Sequence, residues 1–579
     1  MSLSESYASP AAGNHNALRL EQWRFPAIGP ANRRIAGRRM QRSDSKGSSR
    51  CVFDYVVVGG GSSGAALASR LSEDARKKVL LIEAGPDSHP LRSLPLSYAL
   101  FLDHPRVNWR YRTEREAGLK GRRVGVPRGK MLGGSSAING LVYVRGQSLD
   151  YDGWAQMGNA GWSWSEVEPL FRRLENYSSA ADDGRGRSGP LRISRVDNEN
   201  SLYRSLVAAA RGAGIAYNSD YNGPLQEGIS PVQATLHQGR RVSTAVAYLK
   251  PARRRPNLQI IAEATVRNLL FEGGRCTGVS YDRRGRVEHV FAGREVILCA
   301  GAIGTPQILE RSGVGDPDIL KAAGIPVRHA SRAVGENLCE HLMAAGQWRI
   351  LRSGLSYNER THGLAGAGEI LRYALRREGY LAAPAASTLV FLRTRPELAT
   401  PDIQLTFGAI SIEDLRRRRL HNYPGVTMAM NQLRPSSRGG VHVRTADPND
   451  APSISFNFLS DENDRRCMTA GYRAMRRIID DPALDELRGD SIWPAPDPDD
   501  DDEILDYLRK TAGPAYHPIG SCRMGPHDDC VVDPRLRVHG LAGLRIADAS
   551  IMPTMPSGNT NAACIMIGEK AFDLISMEA

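Results

Sequence analysis

Residues 52–58 form a nearly unbroken apolar run rich in β-branched side chains, the pattern of a strand buried on both faces of a parallel sheet. A glycine- and serine-rich turn follows at 59–64, then a run of small apolar residues at 65–71. A second short apolar segment at 79–82 ends in Glu83. This alternation predicts strand, turn, helix and strand. Within it, Gly59, Gly61 and Gly64 make a G-x-G-x-x-G spacing: the first allows a tight turn, the second lets backbone approach a pyrophosphate, and the third lets the helix sit close to the sheet. Ser62 and Ser63 open the helix, whose N-terminal N–H groups and dipole face phosphate. Glu83 falls about 20 residues beyond the last glycine, where a carboxylate accepts bonds from ribose hydroxyls, so a dinucleotide with a free 2′-hydroxyl is expected. The fingerprint alone does not separate NAD from FAD.

Further along, 257–261, 265–271 and 277–281 alternate with turn residues as strands do, and 295–300 reads as a strand returning to the sheet. Segments 437–443 and 452–456 read as paired strands of a second sheet. The glycine pair and two serines at 133–136 read as a loop opening a helix. The acidic run at 497–503 precedes an apolar 504–508, so its carboxylates are expected to cap a helix start, and this reading is favoured over metal binding. Residues 1–50 mix Ser, Gly, Pro, Asn and Arg without periodicity and read as a disordered basic leader; their acid-poor character also resembles a transit peptide, to which no weight is given.

At 579 residues the chain is long enough for two to four structural units, at about 150 residues each. No apolar run reaches the length of about 18 residues needed to span a bilayer, so a soluble, cytoplasmic protein is expected, with room for peripheral membrane association. Of the net charge of +13, +6 sits in the leader, which has nine Lys and Arg against three acids. The rest is spread thinly without a nucleic-acid motif, so solvated faces are favoured over a nucleic-acid partner. Eight dispersed cysteines with no C-x-x-C pair fit a reducing compartment and offer no zinc site.

Residues 127–146 resemble the first signature of the glucose-methanol-choline (GMC) family of FAD-dependent oxidoreductases, and residues 301–315 resemble the second. The resemblance runs from 52 to 575. It implies an α/β fold: a Rossmann-like, doubly wound FAD-binding domain with an inserted α+β substrate domain on an antiparallel sheet. The FAD-binding part would be assembled from 51–160, 225–335 and 510–579, and the substrate-binding part from 161–224 and 336–509. Cofactor contacts are implied at Gly59, Gly61, Ser62, Ser63, Gly64, Glu83, Ala84, Trp109, Met131, Gly134, Asn139, Gly140, Leu141, Val142, Val266, Tyr516, Asp548, Ala549 and Asn559. Val266 would lie beside adenine; Asp548 and Asn559 would look toward the ribityl and pyrophosphate portion.

The same resemblance makes His517 and Asn561 the catalytic pair. Oxidising an alcohol means taking the hydroxyl proton and moving the carbinol hydrogen as hydride, and imidazole suits the first task near neutrality. An amide can donate to the developing alkoxide. Ile138 stands where some members carry a histidine that tethers the flavin, so FAD is expected to be non-covalent, and no metal is expected. The His/Asn pair resembles alcohol and choline dehydrogenases: a primary alcohol goes to an aldehyde and electrons pass to a quinone or dye-like acceptor. The alternatives are an oxygen-using oxidase and a lyase or decarboxylase on the same fold; the absence of cysteine between 339 and 467 disfavours the decarboxylase. Trp348, Tyr357 and Glu369 are candidates for a cage around choline. His527 and His539 are expected in surface loops. The sequence leaves the oligomeric state open.

Overall fold

The computed structural model describes residues 52–179, 184–196, 200–414, 419–493 and 496–578; the expected leader lies outside them. Strand β1 (Val52–Val58) takes a central place because both its faces are apolar: Val56 and Val57 are wholly buried. Strands β2 (Val79–Ile82) and β3 (Leu258–Ile261) continue the sheet in parallel on one side. On the other side the order is β6 (Arg286–Leu298), β5 (Arg275–Arg283) and β4 (Ala264–Glu272), with β1 and β6 parallel and the last three antiparallel to one another. Strand β7 (Leu544–Ile546) pairs in parallel with the end of β6, so pieces separated by hundreds of residues complete one sheet.

Helix α1 (Ser62–Leu71) leaves the glycine turn, α2 (Gly301–Arg311) follows β6, and α3 (Asn561–Ser576) packs along α1. The α1–α3 approach is close: a Cβ on Gly568 would stand 2.4 Å from the Ser63 carbonyl oxygen. The second sheet is antiparallel and runs Arg488–Ser491, Leu342–Ile350, Gly425–Gln432, Ile403–Gly408, Thr388–Leu392, Gly228–Pro231, with Gly513–Pro514 against the start of Leu342–Ile350. Its edge strand Gly228–Pro231 comes from a stretch assigned on sequence to the cofactor side. The amphipathic helix Glu462–Ile479 buries Met468, Gly471 and Met475 against this sheet.

Two local readings change. Gly440–His442 and Ser453–Ser455 do pair antiparallel, but as a separate two-stranded ribbon rather than within the larger sheet. Residues 133–136 lead into a single 3-10 turn, Gly134–Ala137, instead of a helix, because Gly133 and Gly134 both take positive φ and the Gly133 N–H is held by the Gly60 carbonyl at 2.8 Å. The acidic run does cap a helix, Asp501–Thr511: the Asp500 carboxylate accepts from the N–H groups of Asp502 and Glu503.

Candidate active site

A cavity of about 720 Å³ opens at the carboxyl ends of β1 and β2 and at the starts of α1 and α2, within the size range of ligand sites. Gly59, Gly61, Ser62, Ser63, Glu83, Ala84, Trp109, Gly134, Val266, Asp548 and Ala549 all stand in its wall. The glycines divide the work. Gly59 turns at φ +104°, and a Cβ there would stand 2.4 Å from the Cys299 carbonyl oxygen; a Cβ on Gly64 would stand 2.0 Å from the Gly59 carbonyl oxygen. At Gly61 an added Cβ meets nothing closer than 3.9 Å, so that face is an open cradle. Gly134 presses onto the same turn, its hypothetical Cβ 2.6 Å from the Gly61 Cα.

Two of the acids in the wall, Glu83 and Asp548, are already bonded to the chain. Glu83 accepts from the N–H of Gly60 at 2.9 Å and of Gly85 at 2.8 Å, and burial pushes its carboxyl pKa up. Asp548 accepts from the Gly301 N–H and Thr305 hydroxyl at the start of α2, and from the Ser550 N–H and hydroxyl. Burial raises its pKa as well. Bare backbone at Gly61, two helix starts and a carboxylate at the end of β2 are the parts a dinucleotide needs.

Gly64, Met131, Asn139, Gly140, Leu141, Val142, Tyr516 and Asn559 are not in that wall. Met131 packs with Phe101, Val107 and Ile138. Asn139 accepts from Arg241 Nη1 at 2.7 Å, Gly140 abuts Ala385, and Leu141, at φ +73°, packs on Ala234 and Leu236. Val142 bridges to Ala234. This segment therefore joins the first signature to the antiparallel side.

His517 sits in a loop zipped to the start of Leu342–Ile350: the Ala515 N–H donates to the His341 carbonyl and the Ile519 N–H to that of Cys339, both at 2.9 Å. Tyr516 adopts φ +72°, its carbonyl accepts from Arg128 Nη1 at 2.6 Å, and the His517 N–H donates to Glu340 Oε1 at 2.7 Å. The loop is pinned on both sides. The next residue, Pro518, stands in the cavity wall with Arg128 and Cys564.

The ring contacts determine where the hydrogens lie. His341 Nε2 is 2.9 Å from the Leu433 carbonyl oxygen, which can only accept, so Nε2 carries the hydrogen and Nδ1 is bare. His517 Nδ1, 3.0 Å from His341 Nδ1, must then be the donor of that pair. His517 Nε2 keeps its lone pair and accepts from the Asn559 side-chain amide at 3.0 Å, while Asn559 Oδ1 accepts from Gln404 Nε2 at 3.3 Å. Burial pushes the His341 pKa down to about 4. Burial, then His341 and Arg128, hold His517 well below its ordinary value, so both rings are neutral.

Asn561 is not the partner of His517. It is the first residue of α3, and its Oδ1 accepts from the Ser62 hydroxyl at 2.8 Å, tying the start of α3 to the start of α1. Asn559, two residues earlier and still ahead of the helix, points the other way, toward His517. Asn559 thus occupies the place expected for Asn561, and Asn561 the cofactor-side place expected for Asn559.

The sequence reading also passes over His341, Glu340 and Arg128. Burial pushes the Glu340 carboxyl up to about 8, and its Oε2 has no hydrogen-bond partner among the described residues. The adjacent acid and histidine at 340–341 were the available signal, but they stand in the stretch assigned to substrate binding, where no motif drew attention to them. The choline-cage candidates do not assemble. Trp348 is buried within its strand, Tyr357 packs against Tyr380 with ring centres 5.6 Å apart and the planes tilted by 40°, and Glu369 accepts from the Tyr380 N–H; none lines the cavity. Among the described residues no cluster of three His, Cys, Asp or Glu side chains is arranged to hold a metal ion, and no helix is long and apolar enough to cross a membrane.

Family models described as GMC oxidoreductase match residues 53–343 and 435–568, and the chain belongs to that family. The oxygen-dependent choline dehydrogenase of Sinorhizobium fredii is 40% identical over 528 residues, spanning 90% of this chain and 95% of that protein. The alcohol dehydrogenase (acceptor) of Pseudomonas putida is 40% identical over 532 residues, spanning 90% and 96%. Among solved structures, pyridoxine 4-oxidase from Mesorbium loti superposes with a TM-score of 0.82 at 30% identity, covering 91% of this chain and 99% of that one.

Proposed function

We propose that the chain is an FAD-dependent dehydrogenase that oxidises a primary alcohol to an aldehyde, with His517 as the proton acceptor and Asn559 as the group that steadies the alkoxide. The observation that carries this reading is the bare Nε2 of His517, held 3.0 Å from the Asn559 amide next to the cavity. An alcohol hydroxyl placed between them would give its proton to Nε2 and accept from Asn559 as negative charge grows on oxygen. The neutral ring held by His341 is ready to take a proton without first losing one.

FAD, when bound, accepts the carbinol hydrogen as hydride at its N5. The residues that would hold it are those of the cavity: the Gly59–Ser63 turn and the start of α3 at the pyrophosphate, Glu83 at the ribose, and Val266 at adenine. Non-covalent attachment is supported by Ile138, buried in an apolar cluster, at the position before Asn139. A quinone-type acceptor is part of the proposal, in keeping with the acceptor-dependent P. putida relative.

A panel of alcohols mixed anaerobically with purified protein tests this directly. Loss of flavin absorbance near 450 nm is the expected result. Retained absorbance with every alcohol would support the lyase reading instead, and stoichiometric peroxide release under air would replace the dehydrogenase with an oxidase.

A further inference from the structure

Helix Gly363–Arg376 turns its apolar side outward. The side chains it buries are Glu369 and Tyr373, whereas Leu364, Leu371 and Leu375 are 92%, 59% and 74% exposed. At 100° per residue these leucines fall within about 40° of one another and roughly 160° from the buried side, so they form a ridge pointing away from the protein. Ile370, also exposed, stands about 120° round the helix from it. The inner face is anchored by polar contacts: Glu369 accepts from the Tyr380 N–H at 2.9 Å and lies 3.8 Å from both Arg360 and Arg372, and the Tyr373 hydroxyl donates to the Gly239 carbonyl at 3.1 Å. The inward-facing charge is thus satisfied, and among the described residues the leucines are left uncovered.

The charges around the ridge are mainly basic, an exception being Glu378, just past the helix, which lies 3.5 Å from Arg372. Arg372 and Arg376 lie on the helix, Arg377 ends it with its guanidinium over the Tyr373 ring, and Arg240 and Arg360 flank it. The only acid on the helix is the buried Glu369.

We propose that this helix seats the protein on an anionic lipid surface, with Leu364, Leu371 and Leu375 entering the acyl boundary and the surrounding arginines meeting anionic head groups. A convex apolar ridge with a cationic border is complementary to a deformable, negatively charged bilayer. A lipid-soluble substrate or acceptor would then reach the protein from the surface to which it is held. The proposal rests on the surface alone and stands or falls independently of the assigned reaction.

The test uses the full-length, FAD-loaded protein in vesicle flotation. One set of vesicles contains phosphatidylglycerol and the other is phosphatidylcholine alone. Wild type is expected to float with the anionic vesicles and to release as salt is raised. A Leu364→Gln/Leu371→Gln/Leu375→Gln variant, with bound flavin and thermal midpoint as fold controls, should lose binding at least about tenfold. Arg372→Gln/Arg376→Gln should weaken anionic binding alone. Absence of wild-type flotation, or equal flotation by the triple-leucine variant, overturns the proposal; the second result would place binding elsewhere, the basic leader included. A halved solution mass in the triple-leucine variant without lipid binding would assign the ridge to a second copy of the chain.

Discussion

His341 and His517 meet Nδ1 to Nδ1 at 3.0 Å, and the Leu433 carbonyl on the far side of His341 decides which of the two nitrogens is the donor. The consequence is that His517 presents a lone pair, not an N–H, to Asn559. His341 acts here as a positioning residue. His341→Ala should slow flavin reduction by about 10- to 100-fold, because a ring free to take the other tautomer spends less time as an acceptor at Nε2. His341→Gln, whose amide oxygen can accept the same bond, should recover much of the loss. The pH profile separates this from simple unfolding: without His341 one cause of the depressed His517 pKa is gone, so the acid limb should move to higher pH.

The exchange of Asn559 and Asn561 makes a sharp contrast. Asn559→Ala should reduce the rate of flavin reduction by about 10²-fold, in the range of losing one donor to a developing oxyanion, while the protein stays yellow. Asn561→Ala removes the bond to Ser62 at the junction of α1 and α3 and should weaken FAD retention, with the reduction rate of the loaded fraction much less affected. Titration with FAD and single-turnover reduction of each variant measure the two effects separately.

Glu340 should make stability fall as pH rises. Its folded pKa is near 8 against an ordinary 4.5, so between those values the native chain holds a proton that the unfolded chain releases. Stability from this group is therefore present at the acid end and lost through the window, by up to about 1.4 kcal/mol per pH unit. Glu340→Gln should flatten the decline of the thermal midpoint between mildly acid and mildly alkaline pH. It should also remove any alkaline limb of activity that arises from a charge appearing beside the His517 N–H.

Two alanines in the glycine turn should fail differently. Gly61→Ala puts its methyl into open space, so the protein should fold with a near-normal thermal midpoint in the apo state but lose most FAD affinity. Gly64→Ala drives a methyl to 2.0 Å from the Gly59 carbonyl oxygen and should destabilise the apoprotein itself, by about 1–3 kcal/mol or more. Thermal denaturation of the two apoproteins, followed by FAD titration, distinguishes a cradle from a packing contact.

What could be read from the sequence follows the range of the interactions. The β1–α1–β2 unit depends on contacts within about thirty residues, and its apolar runs, glycines and Glu83 are placed as their pattern implies. The Asp500 cap is equally local. The site is not local. His341 and His517 are 176 residues apart, and the sequence has no periodicity that relates a strand start to a loop on another element. Asn559 and Asn561 differ by two residues, but one lies before the helix and the other within its first turn, and their side chains reach different partners, His517 and Ser62. The ribbon Gly440–His442/Ser453–Ser455 repeats the lesson: alternation revealed the pairing, but the edge each strand joins depends on distant packing.

The central claim is that His517 Nε2 takes the alcohol proton beside the flavin, and anaerobic stopped-flow reduction of FAD-loaded His517→Ala tests it most directly. The expected result is a protein that retains its flavin and its fold but reduces about 10²- to 10⁴-fold more slowly than wild type. Reduction at the wild-type rate in that variant would contradict the account.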